Sequence, residues 1–214
     1  DRAVWEAAKQ HWFKSAHPGI WGVDTGVFLE GKSQAFVGSA CTLEFVDESG
    51  KLVHRMTQFW GDPAVFRLIE GPEGSTNLLA ARRTNGTNRL GIINNETLNA
   101  RQRGFYSVPP GHTMVSGWSA QNTHHIFYED LDGDGAKEVV TDCNGTWNRV
   151  TVYDAQGKAL YDASFGPGER IQARNMRDLE VADLDGDGTK EIIAATSGGL
   201  VVALSHQCEK ANTP

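Results

Sequence analysis

Apolar residues in this chain fall into short runs, each closed by glycine, asparagine or aspartate. Residues 125–128 form one run. A second opens at Glu138 (EVV), a third alternates through 149–153, and a fourth covers 159–165. The segments between them are turn-formers: an Asp/Gly loop from Asp130, then Asn144-Gly145, then Asp154-Ala155-Gln156-Gly157-Lys158. Short β-rich runs with this punctuation predict consecutive strands of an antiparallel meander.

The same order returns 53 residues later. A run at 179–182 precedes a second Asp/Gly loop, a strand opens at Glu191 (EIIAAT), Gly198-Gly199 turns the chain, and a third run covers 200–204. Two weaker copies lie upstream. In 68–94, Asn85-Gly86-Thr87-Asn88-Arg89 echoes 144–149, and the acidic loop has shrunk to Glu70-Gly71-Pro72-Glu73-Gly74. In 27–52, residues 36–37 and 42–46 read as strands, and Asp47-Glu48-Ser49-Gly50-Lys51 matches 154–158. A four-stranded meander repeated at roughly 40–50 residues is the signature of a β-propeller.

The expected fold is therefore all-β, a propeller of four-stranded antiparallel blades. Four blades are visible, at approximately 21–62, 63–112, 113–168 and 169–214, behind an N-terminal segment 1–20. The last unit lacks a fourth strand. Either residues 10–15 supply it and close a four-bladed ring, or the blades form an arc of a larger propeller completed by a second chain.

Bulk properties narrow the function. A length of 214 residues allows a substantial core. A formal charge of −7 disfavours nucleic acid as a partner, since phosphate contact needs a basic face. No apolar run approaches the ~20 residues of a membrane span. Three cysteines, Cys41, Cys143 and Cys208, allow one disulfide at most, and no closely spaced Cys/His cluster suggests zinc.

The acidic loops carry the clearest chemistry. Asp130, Asp132 and Asp134 stand at loop positions one, three and five, with Gly133 and Gly135 between and after them. Glycine lets the backbone curl so that the carboxylates converge. Position seven, Ala136, offers a backbone carbonyl, and position nine, Glu138, another carboxylate. The second loop repeats this set with Asp183, Asp185, Asp187, the Thr189 carbonyl and Glu191. An all-oxygen set predicts a hard cation, and Ca2+ tolerates such a flexible cage. Two calcium sites are expected, stabilising rather than catalytic, and nearly additive in their effects because they lie in different blades. An EF-hand is excluded: it needs glutamate at position twelve, where Thr141 and Ala194 stand here, and β-formers follow each loop.

The motif Asp-x-Asp-Gly-Asp-Gly-x-x-Glu at 130–138 and 183–191 resembles the FG-GAP/VCBS-type propeller repeat of integrin α-chains and many secreted bacterial proteins. The resemblance is strong over 123–210 and weak over 27–100. It implies calcium between the first two strands of a blade and a secreted, cell-surface or periplasmic setting. It leaves function open, because such repeats serve adhesion proteins, lectin-like modules and polysaccharide lyases.

Two functions follow as expectations. One is a non-catalytic module binding a carbohydrate or protein ligand, with Trp118 and Trp147 as the candidate stacking surfaces. The other is part of a polysaccharide lyase, drawing on Arg101, Arg103, Tyr106 and His112. His124 and His125 read as the start of a strand, which would aim their rings oppositely. No nucleophile elbow or phosphate loop is present. The binding module is the preferred reading, with no catalytic residue assigned.

Overall fold

A computed structural model describes residues 20–39, 42–56, 63–82, 91–93, 123–143, 149–164 and 176–205. They form four antiparallel sheets, each a meander of strands consecutive in sequence. The first sheet contains β1 (Ile20–Val27), β2 (Ser33–Ser39), β3 (Thr42–Asp47) and β4 (Leu52–Met56). The second contains β5 (Pro63–Glu70), β6 (Thr76–Arg82) and β7 (Gly91–Ile93). The third contains β8 (Ile126–Glu129), β9 (Glu138–Cys143), β10 (Arg149–Tyr153) and β11 (Ala159–Ser164). The fourth contains β12 (Met176–Ala182), β13 (Glu191–Thr196) and β14 (Val201–Leu204). This is the propeller-type architecture the repeat predicted. The first sheet is more complete than its sequence suggested, because β1 precedes the stretch that reads as a copy.

Successive sheets stack face to face, so central strands bury both faces. That is why β6 reads as a continuous apolar run. Leu78 and Ala80 join a cluster with Phe28, Phe36, Phe45 and Phe66 of the first joint, while Leu79 and Ala81 turn the other way, to Ile69, Ile126, Val139 and Tyr153. The third joint is aliphatic: Leu131, Val140, Val150 and Val152 pack on Met176, Leu179, Ile192 and Ala194. Among the described residues, no apolar cluster joins the fourth sheet to the first. Residues 10–15, the proposed closing strand, lie outside the described residues.

The aligned turns are the same structure. Asp47 Oδ1 accepts the N–H groups of Ser49 and Lys51 at 3.0 and 2.9 Å. Asp154 Oδ1 accepts those of Gln156 and Lys158 at 3.0 and 2.8 Å. Gly50 and Gly157 take φ of 81° and 84°, the left-handed turn that favours glycine.

Candidate metal centre

Each acidic loop joins the first strand of a sheet to the second, β8 to β9 and β12 to β13. The opening aspartate organises the loop. Asp130 Oδ1 accepts Gly133 N–H at 2.7 Å and Oδ2 accepts Gly135 N–H at 3.0 Å. Asp132 accepts Asp134 N–H at 3.2 Å, and Asp134 accepts Ala136 N–H at 2.7 Å. Glu138 reaches back from the head of β9 to accept Leu131 N–H at 3.0 Å. The second loop repeats every bond: Asp183 with Gly186 and Gly188 at 2.7 and 3.0 Å, Asp185 with Asp187 at 3.2 Å, Asp187 with Thr189 at 2.8 Å, and Glu191 with Leu184 at 3.0 Å.

Carboxylate oxygens of Asp130, Asp132 and Glu138 lie within 4.8 Å of one another, as do those of Asp183, Asp185 and Asp187. Asp134 and Glu191 stand outside these two tight sets. Burial pushes the Glu138 carboxyl above its ordinary range, and the charges of Asp132, Asp134 and Asp130 push it the same way, against the Leu131 N–H. Asp187 is held below the ordinary range by the Thr189 hydroxyl, which donates at 2.5 Å, and by the Thr189 N–H. Ala136 has no hydroxyl to match. The donors are all oxygen, converge, and carry like charge, so the residues present fit a hard divalent cation.

The loops touch, although they belong to different sheets. Lys190 N–H of the second loop donates to the Leu131 carbonyl of the first at 2.8 Å. The Gly188 carbonyl lies close enough to Gly133 to touch any side chain placed there. Each loop also holds the sheet before it. Lys190 Nζ pairs with Glu129 at 3.0 Å, and Lys137 Nζ lies 3.7 Å from Glu70 and 5.3 Å from the Tyr128 ring centre.

His124 and His125 are corrected too. They precede β8 rather than begin it, and their ring centres lie 6.2 Å apart instead of on opposite faces. Both backbone N–H groups converge on Asp142 Oδ1, at 2.8 and 2.9 Å. Asp142 went unnoticed in the sequence; its only signal is a charge near the end of a strand whose interior, Val139–Thr141, is uncharged. Arg101, Arg103, Tyr106, His112, Trp118 and Trp147 lie outside the described residues.

No family model matches the chain, and no curated protein does. Among solved structures the chain is similar to BBS1N, in its crystal structure in complex with ARL6DN soaked with lead. The identity is 16% and the TM-score 0.51, over 88% of this chain and 52% of that one. It is similar at 17% identity and TM-score 0.50 to BamB from Moraxella catarrhalis, over 87% and 50%. Both are β-propellers, so the likeness shows the fold. The chain spans about half the length of each.

Proposed function

We propose that this chain is a calcium-stabilised, non-catalytic propeller scaffold of the FG-GAP/VCBS repeat type that binds a carbohydrate or protein partner outside the cytoplasm. One observation carries the calcium reading: two loops of different sheets hold the same carboxylates on the same bonds, with converging oxygens. Asp130, Asp132, Asp134 and Glu138, with the Ala136 carbonyl, would hold one ion. Asp183, Asp185, Asp187 and Glu191, with the Thr189 carbonyl, would hold the other. A bound ion supplies positive charge that cancels carboxylate repulsion; this chain's own residues then fix the loop and, through it, the joint between two sheets. An extracellular or periplasmic setting suits such sites, since extracellular calcium modules work at Kd of about 10⁻⁴–10⁻³ M.

A binding role agrees with the fold class, of which BBS1N was crystallised in complex with ARL6DN. The lyase reading has less support. The residues on which it draws, Arg101, Arg103, Tyr106 and His112, lie outside the described residues, and His125 has both ring nitrogens facing carboxylates, Asp142 and Asp178.

Calorimetric titration of the chelator-stripped chain tests the calcium reading. Two ions per chain are expected, one after Asp132→Ala or Asp185→Ala. Stoichiometry unchanged by either substitution would refute the assignment. Release of unsaturated uronate from acidic polysaccharide, followed by ultraviolet absorbance, would reinstate the enzyme.

A further inference from the structure

The joint between the third and fourth sheets has a second polar fastening, at the opposite end of the strands from the acidic loops. His125 stands just before β8, Asp142 near the end of β9, and Asp178 near the start of β12. The His125 ring bridges them. Its Nδ1 lies 3.3 Å from Asp142 Oδ2, within its own sheet, and its Nε2 lies 3.3 Å from Asp178 Oδ1, in the next.

The two carboxylates differ in freedom. Asp142 is fully buried and its other oxygen is held by two backbone N–H groups. The His125 carbonyl in turn accepts the Thr141 hydroxyl at 3.0 Å. The ring is thus anchored on its own sheet. The Asp178 side chain is 79% exposed, and its Oδ1 also accepts the Leu179 N–H at 3.1 Å, so it keeps a partner when it leaves the ring. A neutral imidazole has one N–H and can donate to only one carboxylate; the other then meets a lone pair. An imidazolium donates to both.

We propose that His125 is a proton-operated clamp between the third and fourth sheets: charged, it holds Asp142 and Asp178 together, and neutral, it keeps Asp142 and releases Asp178. Protonation is favoured in the folded chain. The hydrogen bond to Asp142 is the largest cause; burial opposes it, and the charges of Asp142, Asp178 and Glu180 add to it, raising the ring above its ordinary 6.5. Among the described residues, the titratable groups facing the ring are Asp142 from β9, Asp178 and Glu180 from β12, and His124 beside it. A group whose folded pKa is raised gives its full stabilisation below the unfolded value. That stabilisation fades as pH rises from about 6.5 through the higher folded value. The joint is therefore tight in mild acid and looser in mild alkali.

The test is amide hydrogen exchange of β12 in the whole chain, corrected for intrinsic rate, between about pH 6 and pH 9. In the wild type, exchange should accelerate across this range, by about tenfold for each pKa unit by which the His125 ring titrates higher in the wild type than in Asp178→Asn. Asp178→Asn should exchange faster at the acid end and show a flat profile. This exposed site avoids the risk of unfolding that Asp142→Asn carries. His124→Gln should keep the wild-type profile, and the His125 ring proton signal should titrate above its ordinary value. A β12 profile common to the wild type and Asp178→Asn overturns the clamp. So does a His125 titration at or below the ordinary value, or a profile lost with His124.

Discussion

The first two sheets and the last two make the same connection between their first and second strands in different ways. In the first sheet it is a single turn, Leu29–Gly31, and in the second Pro72–Gly74. Each turn places a glutamate, Glu30 or Glu73, at φ 55° ahead of a glycine that also has positive φ. A non-glycine residue there costs about 1–2 kcal/mol. In the first sheet a neutral side chain repays it: Gln34 accepts Leu29 N–H at 2.9 Å and donates to the Leu29 carbonyl at 3.0 Å. Among the described residues of the third and fourth sheets, glycines take every positive φ, so the backbone there carries no such strain. The closing groups are instead carboxylates, which repel. The first connection is therefore closed by a neutral amide, and those of the last two sheets by carboxylates that need a partner. Stability of the two halves should respond to different perturbations.

The largest effect is expected in the first two sheets. The glycines of β1 and β2 let β5 lie directly on them: a Cβ at Gly38 would run into the Pro63 carbonyl, and one at Gly22 into the Ala64 carbonyl. Backbone cannot swing aside as a side chain can. Gly38→Ala should destabilise the chain by about 3 kcal/mol, the upper end for overpacking. Urea unfolding should give the same loss with calcium and with chelator. A loss that calcium restores would place the fragility elsewhere.

Legibility in the sequence follows the same division. The acidic loops and the Asp47 and Asp154 turns could be read because each is local, with its bonds closing within seven residues or fewer. The stacking of sheets was legible only where it left a mark on one strand, as in the doubly buried run Leu78, Leu79, Ala80 and Ala81. β1 was missed because glycines interrupt its alternation; those glycines serve β5, a strand over forty residues further on by contact and not by pattern. The bond from Lys190 to Leu131 and the bridge from His125 to Asp178 join separate sheets. No spacing in the sequence encodes them.

The charged half supplies the next effect. If two ions bind the native chain alone, each site stabilises by RT ln(1 + [L]/Kd), about 2.7 kcal/mol at a hundredfold excess over Kd. Chelation should therefore lower Tm, and Asp132→Ala or Asp185→Ala should each lower it and blunt its response to calcium. Gly38→Ala should lower Tm while leaving the calcium response intact. A melting temperature indifferent to chelator would remove the contrast between the halves.

The smallest effect sharpens the comparison most, because it asks whether the charged loops act singly or as a pair. The short turns of the first two sheets bond within themselves. The acidic loops bond to each other as well, through Lys190 N–H and the Leu131 carbonyl. Leu131 is also the residue whose N–H is held by Glu138, so the peptide units on both sides of Leu131 are fixed, one by its own loop and one by the next. Ordering the first loop therefore positions an acceptor for the second. Sites in contact depart from additivity, whereas sites more than about 7–10 Å apart with no shared partner add within roughly 0.3–0.5 kcal/mol. In calcium, the Asp132→Ala, Asp185→Ala double variant should lose less stability than the sum of the two single losses, by about 0.5 kcal/mol or more. The measurement is a double-mutant cycle by urea unfolding, run once with calcium and once with chelator. Coupling should be present in the first and vanish in the second, since without the ion neither loop has that order to transmit. Equal coupling in both conditions would mean that the backbone bond alone joins the loops, and that the ions act one at a time.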